Sequence, residues 1–287
     1  MTDPTTRVEF LDSNTLRVGE VEFKFGFPLR DVGADRLGVM KGRELIERYA
    51  ELCRDLRPAV IVELGMLRGG STALLNELSR PRKLVAFELR EEPPPALVTY
   101  LEHRDLAEVV RPTYGIDQAD RDRIGSILDE ELGSAPIDLV IDDASHLYDQ
   151  TVSSFETVFP RLREGGMFVI EDWNFIQITS DAIEHAVVSA SGTEREHLER
   201  QLEAAHAERL AVDPLADQRP PLTKLAVDLV LARSSSGDAI REVTLNAHWI
   251  VVKRGAAALD PRSFRLEDLV HDHFGFTEWA RRSHPKR

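Results

Sequence analysis

Apolar and polar positions along this chain repeat with two periods, and the changes between them mark out the elements. From Thr15 to Phe25 apolar residues alternate with polar ones around Gly19, which predicts a small hairpin. From Lys41 to Leu56 the spacing turns helical, with Leu45, Ile46, Tyr49, Leu52 and Leu56 on one face and Pro58 beyond the end. Unbroken apolar runs then alternate with helical stretches. Strands are expected over 59–64, 84–87, 107–111, 137–141 and 167–170. Helices are expected around Leu74, Leu75 and Leu78, from about Ala96, over 120–132 and over 151–162, with a Gly165-Gly166 turn before the last strand. Strand and helix in strict alternation predict an α/β fold with a doubly wound, mostly parallel sheet and right-handed crossovers.

After Phe175 the pattern changes. Residues 180–210 read as an exposed helix, 213–221 as a loop rich in Pro and Asp, and 222–232 as another helix. Two short strands, 242–245 and 249–252, lie close enough to pair as a hairpin, giving the sheet an antiparallel end. The expected organisation is an N-terminal cap (1–40), a sheet core (41–179), a helical lid (180–235), a final hairpin of the core sheet (236–255) and a packing tail (256–287). The tail carries Phe264, Leu269, Phe274, Phe276 and Trp279, apolar enough to pack on the domain or on a second copy in a homo-oligomer.

Composition narrows the classes of function. The 287 residues are 42% hydrophobic with a net charge of −14, which supports a sizeable core and argues against nucleic acid as a partner. The N-terminus lacks the basic-then-apolar pattern of a signal peptide, and no apolar run approaches the ~20 residues of a membrane helix, so a cytoplasmic protein is expected. The single Cys53 falls on the apolar face of the 41–56 helix and reads as a small core residue.

Two acidic clusters carry the chemistry. Asp142-Asp143-Ala144-Ser145-His146 ends one strand, and Glu171-Asp172 ends another, 28 residues after Asp143. The C-terminal strand ends of an open parallel sheet line its ligand crevice. Hard oxygen ligands beside an imidazole describe a divalent-metal site that activates a hydroxyl. His146 is the candidate general base, since a neutral imidazole near pH 7 accepts a proton. Taken singly, each acid reads as a helix cap or a solvated loop charge; the set, with both clusters at strand ends, reads as metal site and base. Tyr148, Trp173 and Phe175 are candidates for a flat apolar wall against a sugar or aromatic ring, while Trp249 is as readily core. The His271/His273 pair lacks a third ligand and reads as solvated or packing.

The first strand leads into Glu63-Leu64-Gly65-Met66-Leu67-Arg68-Gly69-Gly70-Ser71, where a doubly wound fold receives a nucleotide-like ligand. The spacing is not the dinucleotide G-x-G-x-x-G, and Glu63 would repel a pyrophosphate but receive a cationic amino group. Glu88, ending the second strand, suits the hydroxyl pair of a ribose. Asp117 fits either a position near an adenine or a helix N-cap.

In sequence order, E-x-G-x-x-x-G-G-S, Glu88, D-D-A-S-H and E-D-W resemble the class I methyltransferases that use S-adenosylmethionine. Within them the chain is similar to the Mg2+-dependent O-methyltransferases of macrolide sugars, a group that includes proteins labelled cephalosporin hydroxylase. The resemblance covers about residues 41–175 and, weakly, the final hairpin. It implies a Rossmann-like core. It also implies that Glu63, Gly65, Gly69, Gly70 and Ser71 hold the methionine part of the cofactor, that Glu88 holds its ribose, and that Asp142 neighbours it. Asp143, Glu171 and Asp172 are by the same resemblance the ligands of Mg2+ or Mn2+, and the acceptor is a small glycoside or an oligosaccharide; with His146 as base on its own chemistry, Asp143 and His146 are the catalytic candidates. Alternatives on the same architecture are a catechol-type O-methyltransferase, an NAD-dependent oxidoreductase, against which the loop spacing and Glu63 argue, and a non-catalytic protein, against which the retained acids and His146 argue.

Overall fold

A computed structural model of the chain describes residues 7–26, 36–174, 189–200 and 220–270, with the single residues 29, 33 and 203 between them. The first strands are β1 (Val8–Phe10), β2 (Thr15–Val18), β3 (Val21–Phe25) and β4 (Gly38–Val39). They form a small four-stranded sheet in that order, in which β2 and β3 are the expected hairpin and β4 pairs parallel to β3. After it come α1 (Arg43–Leu56), β5 (Val60–Leu64), α2 (Gly70–Ser79), β6 (Lys83–Phe87), α3 (Pro95–His103), β7 (Val110–Thr113) and α4 (Arg121–Leu132). The remainder is β8 (Ile137–Asp142), α5 (Tyr148–Val158), β9 (Leu162–Glu171), α6 (Thr223–Ser235), β10 (Ile240–Leu245) and β11 (Trp249–Arg254).

The main sheet has seven strands in the order β10-β11-β9-β8-β5-β6-β7, with β11 antiparallel to β9 and to β10 and the other five parallel. This is the doubly wound, mostly parallel sheet with an antiparallel end that the sequence pattern predicts. Its interior strands read as continuous apolar runs because both faces are covered. On one face Ile61, Leu139, Ile141 and Val169 pack with residues of α1, α2, α3 and the small sheet. On the other, Val62, Leu64, Val140, Phe168 and Ile170 pack with α4, α5 and α6. Cys53 lies in the first cluster, and burial pushes its thiol up to about 11.

Three expectations are corrected locally. The third strand lies at Val110–Thr113 rather than 107–111; as the edge strand it tolerates Pro112, whose missing N–H would break an interior ladder. The Gly165-Gly166 turn is instead part of β9, which starts at Leu162 and passes through an irregularity where its register against β8 shifts. The helix before it begins at Tyr148, three residues earlier than the apolar spacing implies.

Of the expected lid, residues 192–200 are helical and mostly exposed and α6 matches its second helix, while 180–188 and 204–219 lie outside the described residues. So do Phe175, His271, His273, Phe274, Phe276 and Trp279. Phe264 and Leu269 are described, and pack on the α4/α5/α6 side. Among the described residues no helix is long and apolar enough to cross a membrane.

Candidate active site

Strand alternation decides which way each acid points. Successive side chains on a strand face opposite sides, so Glu63 shares the α1/α2 face with Ile61, and Asp142 shares the α5 face with Val140. Glu63 is accordingly buried against α2, where Thr72 Oγ1 donates to its Oε2 at 2.5 Å. Its Oε1 is buried with no hydrogen-bond partner. Burial pushes this carboxyl up to about 7. A cationic donor would satisfy the orphaned oxygen.

The turn after β5 is shaped by the protein's own backbone. Gly65 adopts φ +83°, and a Cβ there would lie 2.3 Å from the Asp143 carbonyl oxygen. A Cβ on Gly70 would lie 2.0 Å from the carbonyl oxygen of Gly38, so the small sheet packs directly on the start of α2. Glu88 braces the same turn, accepting from Leu67 N at 2.7 Å and Arg90 N at 3.1 Å. Asp117 does not cap α4. Its side chain accepts from Ala119 N in the preceding turn, and the N-cap is Asp120, whose carboxylate accepts from Arg123 N.

Asp142 is enclosed on the α5 side. Gln118 Nε2 donates to both of its oxygens at 2.7 Å, and Ser154 Oγ donates at 2.5 Å. Burial raises its carboxyl to about 6 against the pull of these hydrogen bonds. The Gln118 oxygen accepts from Ser145 N and Oγ, so the network also fixes the loop that carries His146. Gln118, Ser154 and Thr72 were not among the residues singled out from sequence.

Asp143, one step further, turns to the other face. One carboxylate oxygen, Oδ1, lies 3.8 Å from His146 Nε2, and ligand atoms of Asp143, His146 and Asp172 all fall within 4.8 Å of one another. His146 (φ 55°) and Asp172 (φ 49°) both adopt the left-handed region, a conformation that L residues hold at a cost of about 1–2 kcal/mol. Three residues of two loops thus converge on one point.

Glu171, last in β9, stands behind them. It is 1% exposed; Lys41 Nζ donates to its two oxygens at 2.9 and 2.8 Å, and the Tyr49 hydroxyl donates to Oε1. The same ammonium donates to Asp143 Oδ2 at 2.7 Å. Burial opposes its charge, but the two carboxylates outweigh that and hold Lys41 above its ordinary value. Sequence reading placed Lys41 only at the start of a helix. A signal was there: a cation just before a helix N-terminus opposes the helix dipole, so its partner should be an acid elsewhere.

The aromatic candidates are anchored by their polar ends. The Tyr148 hydroxyl donates to Asp228 of α6 at 2.5 Å and accepts from Lys224 at 2.9 Å, while the Trp173 indole donates to the Asn246 carbonyl at 2.9 Å. Trp249 is buried, edge-to-face with Tyr49 at 5.6 Å, and belongs to the core.

The main sheet thus places a glycine turn after its first core strand and acids at the ends of the neighbouring strands. Residues 62–173 match the family model described as a methyltransferase domain, a span that includes Glu63, the glycine turn and both acidic clusters. Among curated proteins, the chain is 29% identical over 154 residues to 8-demethyl-8-alpha-L-rhamnosyl tetracenomycin-C 2'-O-methyltransferase of Streptomyces olivaceus, covering 51% of this chain and 36% of that one. It is 36% identical over 72 residues to demethylmacrocin O-methyltransferase of Streptomyces fradiae (25% of this chain, 18% of that one). Over 37 residues it is 51% identical to mycinamicin VI 2''-O-methyltransferase of Micromonospora griseorubida (13% of this chain, 9% of that one). The matches therefore span about a third or less of these relatives' own lengths. Among solved structures, the MycE methyltransferase from the mycinamycin biosynthetic pathway, in complex with Mg, SAH and mycinamycin VI, aligns with 74% of this chain and 49% of that one at 18% identity, TM-score 0.47.

Proposed function

We propose that this chain is an O-methyltransferase that uses S-adenosylmethionine and a divalent cation, Mg2+ or Mn2+, to methylate a sugar hydroxyl of a glycoside, an oligosaccharide or a natural-product precursor. The observation that carries the reading is the convergence of Asp143, His146 and Asp172 at strand ends beside the glycine turn. The relatives' names, which specify O-methylation and include a rhamnosyl acceptor, support an oxygen nucleophile on a sugar.

The residues fit both groups. Glu63 Oε1, buried and unpartnered, suits the cationic amino group of the cofactor, and the free amides at the start of α2 suit its carboxylate. Asp143, Asp172 and Glu171 offer the hard oxygens that a small divalent cation prefers. When bound, the cation supplies a Lewis acid that makes the acceptor hydroxyl more acidic, and S-adenosylmethionine supplies the activated methyl group.

The chain's own residues do the rest. Gly65, Gly69, Gly70 and Ser71 shape the pocket for the methionine part, Glu88 binds the ribose, Asp117 lies near the adenine end, and Asp142 fixes the wall beside the cofactor. His146 takes the hydroxyl proton on Nε2, and the Asp143 carboxylate beside it steadies the resulting imidazolium. Tyr148, Trp173 and Phe175 flank the acceptor.

Titration calorimetry with S-adenosylhomocysteine, with and without Mg2+ and with NAD as control, tests the reading. Micromolar binding of S-adenosylhomocysteine and none of NAD is expected, followed by transfer of labelled methyl to glycosides. Binding of NAD alone would overturn it. The raised Glu63 carboxyl adds a pH signature. In the ligand-free chain the protonated acid is favoured up to about 7, whereas a cationic ligand group needs the ionised acid. Affinity for S-adenosylhomocysteine is therefore full above pH 7 and declines by up to about tenfold per unit as pH falls below it. Glu63→Gln should bind more weakly at pH 8 and lose most of this dependence; an unchanged profile would remove Glu63 from the cofactor site.

A further inference from the structure

Lys41 occupies ground that the proposed cation needs. Its ammonium is bonded to Asp143 Oδ2 and to both oxygens of Glu171, two of the three proposed ligands, and the side chain is only 5% exposed. The open side of the site is different: Asp143 Oδ1, His146 and Asp172 converge there, and Glu171 is not part of that group. A divalent ion arriving from that side meets Asp143 Oδ1 and Asp172 first. To gain Glu171 as well, it must take the place of an ammonium already bonded to that carboxylate. Two like charges at contact distance in a dry site repel strongly, so the two cations compete for the same oxygens.

We propose that Lys41 is an internal counter-ion of the acid cluster: it holds Asp143 and Glu171 together in the metal-free chain and is displaced from them when the divalent cation binds. This rests on the metal-dependent reading above. Lys41 is a positioning residue in this scheme and touches no reacting atom. It lies in the short link between β4 and α1, and β4 packs on Gly70 at the start of α2. Displacement would thus be felt at the joint between the small sheet and the cofactor turn.

The test is a Mn2+ titration of the full chain without acceptor, read by the loss of the free-ion paramagnetic resonance signal, on the wild type, Lys41→Met and Lys41→Gln. Gln keeps one donor for Glu171 should Met fail to fold. Removing the competitor should tighten Mn2+ binding by about tenfold or more in both variants. In EDTA both variants should melt below the wild type, and Mn2+ should raise their melting temperatures by more than it raises that of the wild type. A merely structural lysine would lower the melting temperature without tightening Mn2+ binding, and that result would overturn the inference. Should neither variant fold, acetylation of Lys41 in the wild type, read by peptide mass spectrometry, should rise several-fold with Mn2+ over EDTA; equal labelling overturns the inference. A wild type that binds no Mn2+ at millimolar concentration sinks the metal-dependent reading itself, an outcome separable from tight wild-type binding with no gain in the variants.

Discussion

His146→Ala is expected to lower the turnover number by about 10²–10⁴-fold, the usual contribution of a positioned general base, while S-adenosylhomocysteine and Mn2+ bind nearly as before. The separation is physical. The loop that carries His146 is held by Ser145, whose N–H and hydroxyl donate to Gln118, and by the Leu147 N–H on Ser145 Oγ, so the imidazole can be removed without releasing the backbone. The residue adopts φ 55°, where Ala is somewhat less favourable than His and Asn is as well suited. His146→Asn is therefore the companion variant, and both should fall together. The size of the loss also discriminates between acceptors. A phenolic diol is acidic enough to lose its proton to a metal site with little help, whereas a sugar hydroxyl is not, so parallel assays on a glycoside and a catechol should show the larger loss on the glycoside. Near-normal turnover of both variants on a glycoside would remove His146 from the reaction.

What could be read from the sequence follows from the range of each interaction. Interior strands of a covered parallel sheet are continuous apolar runs, so β5, β6, β8 and β9 were visible one at a time, and the order of strands and helices then restricts the topology. Edge strand β7 bears little of the core and carries Pro112, so its start was misplaced. The two acidic clusters were legible as clusters, but their internal division was not. Asp142 and Asp143 are adjacent in sequence, yet alternation sends the first to Gln118 and Ser154 on the α5 side and the second to Lys41 and His146 on the other. A parity count from the start of β8 would have shown this. Lys41 was beyond such reasoning, because its partners lie 102 and 130 residues away and only the packing of the link before α1 brings them together.

Glu171→Ala, by contrast with Asp143→Ala, should lose fold stability as well as turnover. Glu171 is 1% exposed and accepts from both Lys41 and Tyr49, so truncation leaves a buried ammonium with only the half-buried Asp143 and leaves a buried phenol without an acceptor. Breaking a buried pair from one side costs about 3–5 kcal/mol. At roughly 2–4 °C per kcal/mol for a chain near this size, calorimetry in EDTA should show a melting temperature lower by about 10 °C. Asp143→Ala keeps Lys41 on Glu171 and should melt much closer to the wild type while losing Mn2+ binding and turnover. Glu171→Gln completes the comparison: it retains the shape and an acceptor for Tyr49 but gives up the negative charge, so it should recover part of the lost stability and still bind Mn2+ weakly. S-adenosylhomocysteine binding should survive in all three, because Glu63 lies in β5 and the glycine turn joins β5 to α2, apart from Glu171. Glu171→Ala melting with the wild type would mean that the buried pair does not hold β9 to α1, and Glu171→Gln binding Mn2+ as tightly as the wild type would confine the cation to Asp143 and Asp172.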